Sequence, residues 1–318
     1  MLRIVAHRFG LPAEVLVCEP APSVEPAPSG VVVKMQASAI NPSDLVSVSG
    51  AYSFRLALPF VPGFEGVGVV DAVGPEVSGL GIGQRVLPLG SAGGWQSFKA
   101  VAAEWCIKVP DDLTDEQAAT SYVNPLTARL VLQAMAAPPG ALIAVNAANS
   151  AIGRILLRLL HAQGVRSLAI VRSREAKALL ANEPVQETIL ASEPLPPLDG
   201  GFDAVGGAYG ARMAEAIRPG GALLHYGLLS GVPLPAGLGA VVRPFWLRNW
   251  VHAASRAELR AAMADVFDDI RSGLAATTVE AHYPLSEVQA ALAHHARPSR
   301  PGKILFTPQL SNGRSTMP

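Results

Sequence analysis

Between Gly140 and Leu247, short apolar runs alternate with stretches of helical period, a rhythm that few folds accept. The runs ALIAVNA (141–147), SLAIVR (167–172), ETILA (187–191), FDAVGG (202–207), GALLHYG (221–227) and PFWL (244–247) read as strands. Helices are expected at Ala151–Gln163, where Ile152, Ile155, Leu156, Leu159 and Leu160 share a face, at Glu175–Asn182 and at Tyr209–Ile217. Strands separated by crossover helices pair in parallel, so this half of the chain is expected to form a doubly wound parallel sheet.

The residues before it have another texture. Leu2–Ala6, Val15–Val17, Gly30–Ala37, Gly66–Val73 and Trp95–Val101 are short apolar runs punctuated by Pro and Gly, the signature of a β-rich domain. The Pro-rich EPAPSVEPAPS (19–29) reads as a surface loop, and Thr114 in DDLTDE (111–116) as the cap of an Ala-rich helix. Arg256–Ser272 is expected to be a long amphipathic helix and GKILF (302–306) a returning strand, followed by a polar tail. The expected class is α/β, with residues 1–121 and 259–318 forming the β-rich domain and 122–258 the parallel-sheet domain.

Half of the 318 residues are hydrophobic and 16% are charged, enough apolar material for a large core. The 25 basic and 25 acidic residues cancel, which excludes a nucleic-acid binder working by bulk charge. Two cysteines, Cys18 and Cys106, are too few for a disulfide scaffold. The uncharged stretch Pro219–Val242 contains six Gly and three Pro, which rules it out as a membrane-spanning helix. The opening residues MLRIVAHRFGLP lack the apolar region and cleavage site of a secretory signal, so a cytoplasmic protein without membrane association is expected.

The segment AANSAIG (147–153) lies between the first strand and first helix of the alternation. A dinucleotide site needs a tight turn there, small side chains and a helix N-terminus aimed at the diphosphate. Asn149, Ser150, Ala151, Ile152 and Gly153 are the candidate cradle, with Gly153 where helix and strand must approach closely. Ala147 and Ser150 stand where glycine is commoner, so the GxGxxG pattern fails and an ordinary βα turn stays open as a reading. About 20 positions past such a turn, NAD sites carry an acid on the ribose. This chain has Arg172, Ser173 and Arg174 instead, which suit a 2′-phosphate and point to NADPH. Two solvated arginines are the plainer alternative.

Several strings resemble the medium-chain dehydrogenase/reductase superfamily, and within it the zinc-free 2-enoyl thioester reductases of the mitochondrial type. They are INPSD (40–44), SGAY (49–52), PGFEGVGVVDAVGPEVSGL (62–80), NPLTA (124–128), NAANSAIG (146–153) and FWLRNW (245–250). Zinc-free quinone reductases share much of this pattern. The resemblance implies a GroES-like β-rich catalytic domain joined to a Rossmann domain, and it spans the chain to about Phe306. Zinc-bearing members have a histidine where Phe64 stands in GFEG, a cysteine where INPSD has none, and a four-cysteine lobe absent here. Catalytic zinc takes three protein ligands, so no metal is expected.

Hydride addition to a conjugated C=C bond spreads the developing charge into an enolate that hydrogen-bond donors can stabilise without a Lewis acid. The resemblance places Tyr52 of SGAY as the proton donor, and a phenol of ordinary pKa near 10 stays protonated for that role. Asn41 is expected to fix the nicotinamide or the tyrosine hydroxyl, and Asp44 to cap a helix. Gly206, Gly207, Tyr226 and Gly227 end strands on the ligand side of the sheet and are expected beside the nicotinamide. The resemblance adds Phe245 and Trp246 to the cofactor contacts and Trp246 and Trp250 to an acyl pocket; aromatic core is an equal reading of both tryptophans. Arg297, Arg300 and Lys303 form a basic cluster that could meet a phosphate, with Lys303 counted among the cofactor contacts, although a charged solvated turn before the last strand is the plainer explanation.

The implied activity is NADPH-dependent reduction of a trans-2-enoyl thioester on CoA or a carrier protein. The alternatives are an NADPH:quinone oxidoreductase and a non-catalytic NADP(H)-binding sensor. A homodimer is expected, and the apolar stretch 227–242 could supply its surface, although core is an equal reading of that stretch.

Overall fold

The computed structural model describes residues 1–51 and 53–308. In chain order the strands are β1 (Leu2–Ala6), β2 (Leu16–Pro20), β3 (Gly30–Ala39), β4 (Val67–Val73), β5 (Arg85–Pro88), β6 (Phe98–Ala102) and β7 (Cys106–Lys108). They continue with β8 (Leu142–Asn146), β9 (Arg166–Val171), β10 (Glu187–Leu190), β11 (Leu198–Asp203), β12 (Ile217–His225), β13 (Val241–Pro244), β14 (Val279–Tyr283) and β15 (Lys303–Phe306). Two compact units result. Among the described residues the first comprises Met1–Val123, Val251–Phe267 and 277–308; the second comprises Asn124–Trp250 and Asp268–Ala276.

In the first unit the sheet runs β14-β15-β3-β4-β5-β7, and β6 adds to β3. Strand β3 is the spine, because its ten residues pair with β15, β4 and β6 in turn. Ile4, Leu16, Ile40, Trp95 and Phe306 are fully buried in one cluster under it. The Trp95 and Phe306 rings meet edge to face at 5.0 Å, and the indole N–H donates to the Ala39 carbonyl at 3.1 Å. Trp95 therefore precedes β6 instead of opening it. Thr114 caps the helix Asp115–Ala119 through a reciprocal pair with Gln117, as the DDLTDE string implies.

In the second unit every strand pair is parallel, in the order β10-β9-β8-β11-β12-β13. The chain direction of that order reverses between β8 and β11, which makes their carboxyl ends the ligand edge of a doubly wound sheet. Three expectations need correction here. The strand sought at 202–207 is Leu198–Asp203, hidden because Gly200 and Gly201 look like loop. They are required: a Cβ on Gly200 would lie 2.9 Å from Met135 Sδ and 3.1 Å from the Ala222 carbonyl oxygen. The PFWL strand is displaced to Val241–Pro244, and Leu247–Ala253 is helical. The helix sought at 175–182 spans only Arg174–Ala178, since little beyond Ala176 and Leu180 is buried to hold further turns.

Candidate functional site

The turn after β8 is built for close approach. Ala147 takes a left-handed φ of +46°, Ser150 caps the helix Ala151–Ala162, and its hydroxyl accepts the Gly153 N–H at 3.1 Å. A Cβ on Gly153 would lie 2.5 Å from the Ala148 carbonyl oxygen and 2.7 Å from that of Ala147. Asn149, Ser150, Ala151 and Ile152 are half-buried around this helix start. At the end of β9, Arg172 and Arg174 are exposed, while Ser173 caps the helix Arg174–Ala178 by accepting from Ala176 N. The arrangement fits an anionic dinucleotide: a backbone cradle at a helix N-terminus, with two guanidinium groups one strand away.

The carboxyl ends of β8, β11 and β12 meet at Asp203, whose side chain is fully buried. Its Oδ1 accepts from Asn146 Nδ2 at 2.5 Å and from the N–H groups of Val205 at 2.9 Å and Gly206 at 3.0 Å; its Oδ2 lies 2.7 Å from His225 Nδ1. Burial works to raise the pKa of this carboxyl, but the bonds from His225, Asn146, Gly206 and Val205 outweigh it and hold the pKa low. Asn146 Oδ1 accepts the Ala204 N–H at 2.8 Å, so the same network fixes the turn that follows. Gly206 and Gly207 carry φ of +73° and +53° and open the helix Gly207–Ala216. A Cβ on Gly227 would meet the Ala204 carbonyl oxygen at 2.7 Å.

Beside them, the Tyr226 hydroxyl is buried without a hydrogen-bond partner among the described residues, and burial pushes its pKa up. An orphaned buried donor at a ligand edge calls for a ligand atom. Phe245 donates its N–H to the His225 carbonyl at 2.8 Å and is half-buried. Trp246 is 57% exposed; Trp250, one turn later in the helix Leu247–Ala253, is half-buried.

The first unit holds a separate buried polar cluster. Asn41, Asp44, Glu65 and Lys303 are each at most 7% exposed. Asp44 accepts from Asn41 N at 2.8 Å, closing the start of the helix Pro42–Val48, and from the N–H groups of Phe64 at 2.9 Å and Gly63 at 3.2 Å. Glu65 accepts from Asn41 Nδ2 and from Val123 N, both at 2.7 Å. The Lys303 ammonium donates to Asn41 Oδ1 and lies 3.9 Å from Glu65. Burial pushes the Asp44 pKa up to about 7, with Glu65 adding to the rise while the backbone donors and Lys303 oppose it. Burial also lowers Lys303.

Two expectations change accordingly. Lys303 is neither a solvated turn residue nor open to a phosphate, because β15 carries it into the interior as the counter-charge of Glu65 and Asp44. Asn41 spends its amide on Glu65 and Lys303. Asp44 is a cap, as expected, and also clamps the 63–64 turn. Tyr52 lies outside the described residues. The Asp203–His225–Asn146 network and the Glu65 hub escape a reading of the sequence; the only signal is a polar residue closing each of the apolar runs β8 and β11.

Comparison with known proteins gives two family profiles. Residues 27–111 match the alcohol dehydrogenase GroES-like domain, and residues 181–305 match a family described as zinc-binding dehydrogenase. The mitochondrial enoyl-[acyl-carrier-protein] reductase of Rattus norvegicus is 31% identical over 93% of this chain and 85% of its own length. The Homo sapiens protein of the same name is 30% identical over 96% of this chain and 88% of its own. A crystal structure from Bacillus thuringiensis, described as a candidate NADPH:quinone reductase, superposes with a TM-score of 0.90 at 31% identity, covering 96% of this chain and 98% of that one. Among the described residues no group of three His, Cys, Asp or Glu side chains could hold a metal ion, and Glu65 is taken up by the Asn41 amide, the Val123 N–H and the Lys303 ammonium.

Proposed function

The chain belongs to the medium-chain dehydrogenase/reductase superfamily, and we propose that within it the protein is a zinc-independent, NADPH-dependent reductase of C=C bonds conjugated to a thioester carbonyl. The observation that carries the reading is the turn at Ala147–Gly153, where a methyl on Gly153 would strike the Ala148 carbonyl at the start of the helix Ala151–Ala162. The enoyl reductases that resemble the chain along nearly its whole length support the thioester as substrate.

When bound, the dinucleotide supplies a hydride to the β-carbon of the substrate. The chain's residues hold and orient. The Asn149–Gly153 backbone takes the diphosphate, Arg172 and Arg174 take the 2′-phosphate, and the Gly206–Gly207 and Tyr226–Gly227 turns flank the nicotinamide, with Phe245 and Trp246 beside them. Trp246 and Trp250 line the acyl pocket. Tyr52 delivers the proton to the α-carbon and recovers one from solvent, which balances the two-electron reduction. Asn41 acts at one remove, by fixing the helix Pro42–Val48 that leads towards Tyr52. Cys18 and Cys106 carry no disulfide, as suits work in the cytoplasm.

The working form is a homodimer joined along β13. This strand lies at the end of the sheet, and Leu228, Leu229, Val232, Val241 and Trp246 near it are all more than 40% exposed.

The test is NADPH oxidation with crotonyl-CoA and with a benzoquinone as acceptors, by wild type and Tyr52→Phe. Turnover of the thioester that Tyr52→Phe slows at unchanged NADPH affinity is the expected result. Turnover of the quinone alone selects the second reading, which the Bacillus thuringiensis relative favours. NADPH binding without turnover of either acceptor would leave a nucleotide sensor.

A further inference from the structure

The Asp203–His225 pair has no part in the hydride or proton steps above, yet it sits at the ligand edge of the sheet. Its two residues end adjacent parallel strands, β11 and β12, in register with each other. The imidazole side chain is 18% exposed and the carboxylate 0%. Asp203 also receives Asn146 from β8, across the point where strand order reverses. The helix after β8 and the arginines after β9 belong to one mononucleotide half of a doubly wound sheet; β11 and β12 belong to the other. With the diphosphate and 2′-phosphate on the first half, the nicotinamide ribosyl group falls to the second.

What the second half offers is the turn Ala204–Gly207. A Cβ on Gly206 would meet the Val232 carbonyl oxygen at 2.7 Å and the His225 ring carbon Cε1 at 3.5 Å, so the imidazole packs directly beside the turn. The Val205 N–H ends on Asp203 Oδ1, the Gly206 N–H is shared between Oδ1 at 3.0 Å and Oδ2 at 3.2 Å, and His225 Nδ1 lies 2.7 Å from Oδ2. We propose that His225 is a positioning residue for the nicotinamide half of the dinucleotide: by donating its Nδ1–H to Asp203 it keeps that carboxylate aimed at the Val205 and Gly206 N–H groups and so holds the Gly206–Gly207 turn open. The proposal rests on the dinucleotide reading above. Without the histidine, a fully buried carboxylate loses its strongest side-chain donor, and desolvation favours the protonated form, which accepts hydrogen bonds poorly.

The full chain is titrated with NADPH and with adenosine 2′,5′-bisphosphate, the adenine half alone. His225→Ala is expected to weaken NADPH about tenfold, the loss of one charge-assisted hydrogen bond, and to leave the bisphosphate unchanged. His225→Asn, whose side-chain N–H stands where Nδ1–H stood, is expected to recover NADPH affinity to within about twofold. An unaltered NADPH affinity in His225→Ala, an equal loss of both ligands, or a folded His225→Asn that stays tenfold weak would each overturn the positioning role. If wild type bound neither ligand, the dinucleotide reading would fall, and this role with it.

Discussion

The carbonyl oxygen of Ala148 stands 2.5 Å from the point where Gly153 would carry a Cβ, closer than any real side chain tolerates. Helix and strand meet there with no room for a methyl, and the conflict is with backbone, which cannot rotate away. Gly153→Ala must push the first helical turn off β8 and misdirect its N–H groups. NADPH affinity is expected to fall at least tenfold, whereas Gly81→Ala, which meets open space, leaves it unchanged. Equal affinities of the two variants in a fluorescence titration would remove the turn from the binding site.

Arg172 projects from the end of β9 into solvent. A guanidinium on a 2′-phosphate forms a charge-assisted pair that NADH cannot make, so Arg172→Ala is expected to weaken NADPH about 10- to 100-fold and NADH less than twofold. Parallel losses for both cofactors would return this arginine to the solvated surface.

Much of the second unit is legible because its strands are short apolar runs with helices between them, and parallel pairing follows from that rhythm. What stays hidden has physical causes. Gly200 and Gly201 disguise a strand as loop, since their lack of side chains reflects Met135 and Ala222 pressing on Gly200, and Met213 and Leu223 on Gly201, and not conformational freedom. β13 stops at Pro244, so Phe245 and Trp246 lie between that strand and the helix Leu247–Ala253 instead of within a strand. The polar hubs join residues far apart in the chain: 262 positions separate Asn41 from Lys303, and no local pattern encodes such a bond. A lysine following RPSRPG looks solvated until β15 is seen to carry it inward.

Lys303 provides the positive charge among two buried carboxyl groups and the Asn41 amide. Its removal leaves Glu65 and Asp44 buried without compensation, a loss on the order of 3–5 kcal/mol for one broken buried pair. Lys303→Met should therefore lower the urea-unfolding free energy by that amount while leaving NADPH affinity unchanged in the folded protein. A variant of native stability with weakened NADPH would reinstate Lys303 as a cofactor ligand.

Val241 opens the edge strand β13 and is 57% exposed, with Ala222 of β12 as its neighbour on the inner side. If a second copy pairs along this edge, the 33.1 kDa chain sediments at twice its mass, and Val241→Lys, which sets a charge on each copy at the junction, shifts it to monomer. Wild type sedimenting as a monomer would exclude the homodimer.

Lys99 gives the clearest pH signature. Its ammonium donates to the Pro88 and Ser91 carbonyls, each at 2.7 Å, and burial brings its pKa down to about 7, with Cys106 opposing the fall. Lysine in the unfolded chain titrates near 10.4. Between about pH 7 and pH 10 the unfolded chain thus holds a proton that the folded chain has released, so this group adds stability as pH rises, by up to about 1.4 kcal/mol per pH unit. That contribution is complete above the unfolded value and is lost as pH falls towards 7. Burial drives the neighbouring Cys106 thiol up to about 12, so once the unfolded thiol ionises near pH 8.5 this group lowers stability in wild type and variant alike and cancels from their difference. Lys99→Met abolishes the titration, and in urea unfolding at pH 7, 8 and 9 the stability of wild type relative to the variant should climb with each step. Curves that run parallel across the three pH values would mean that the folded lysine keeps its proton throughout.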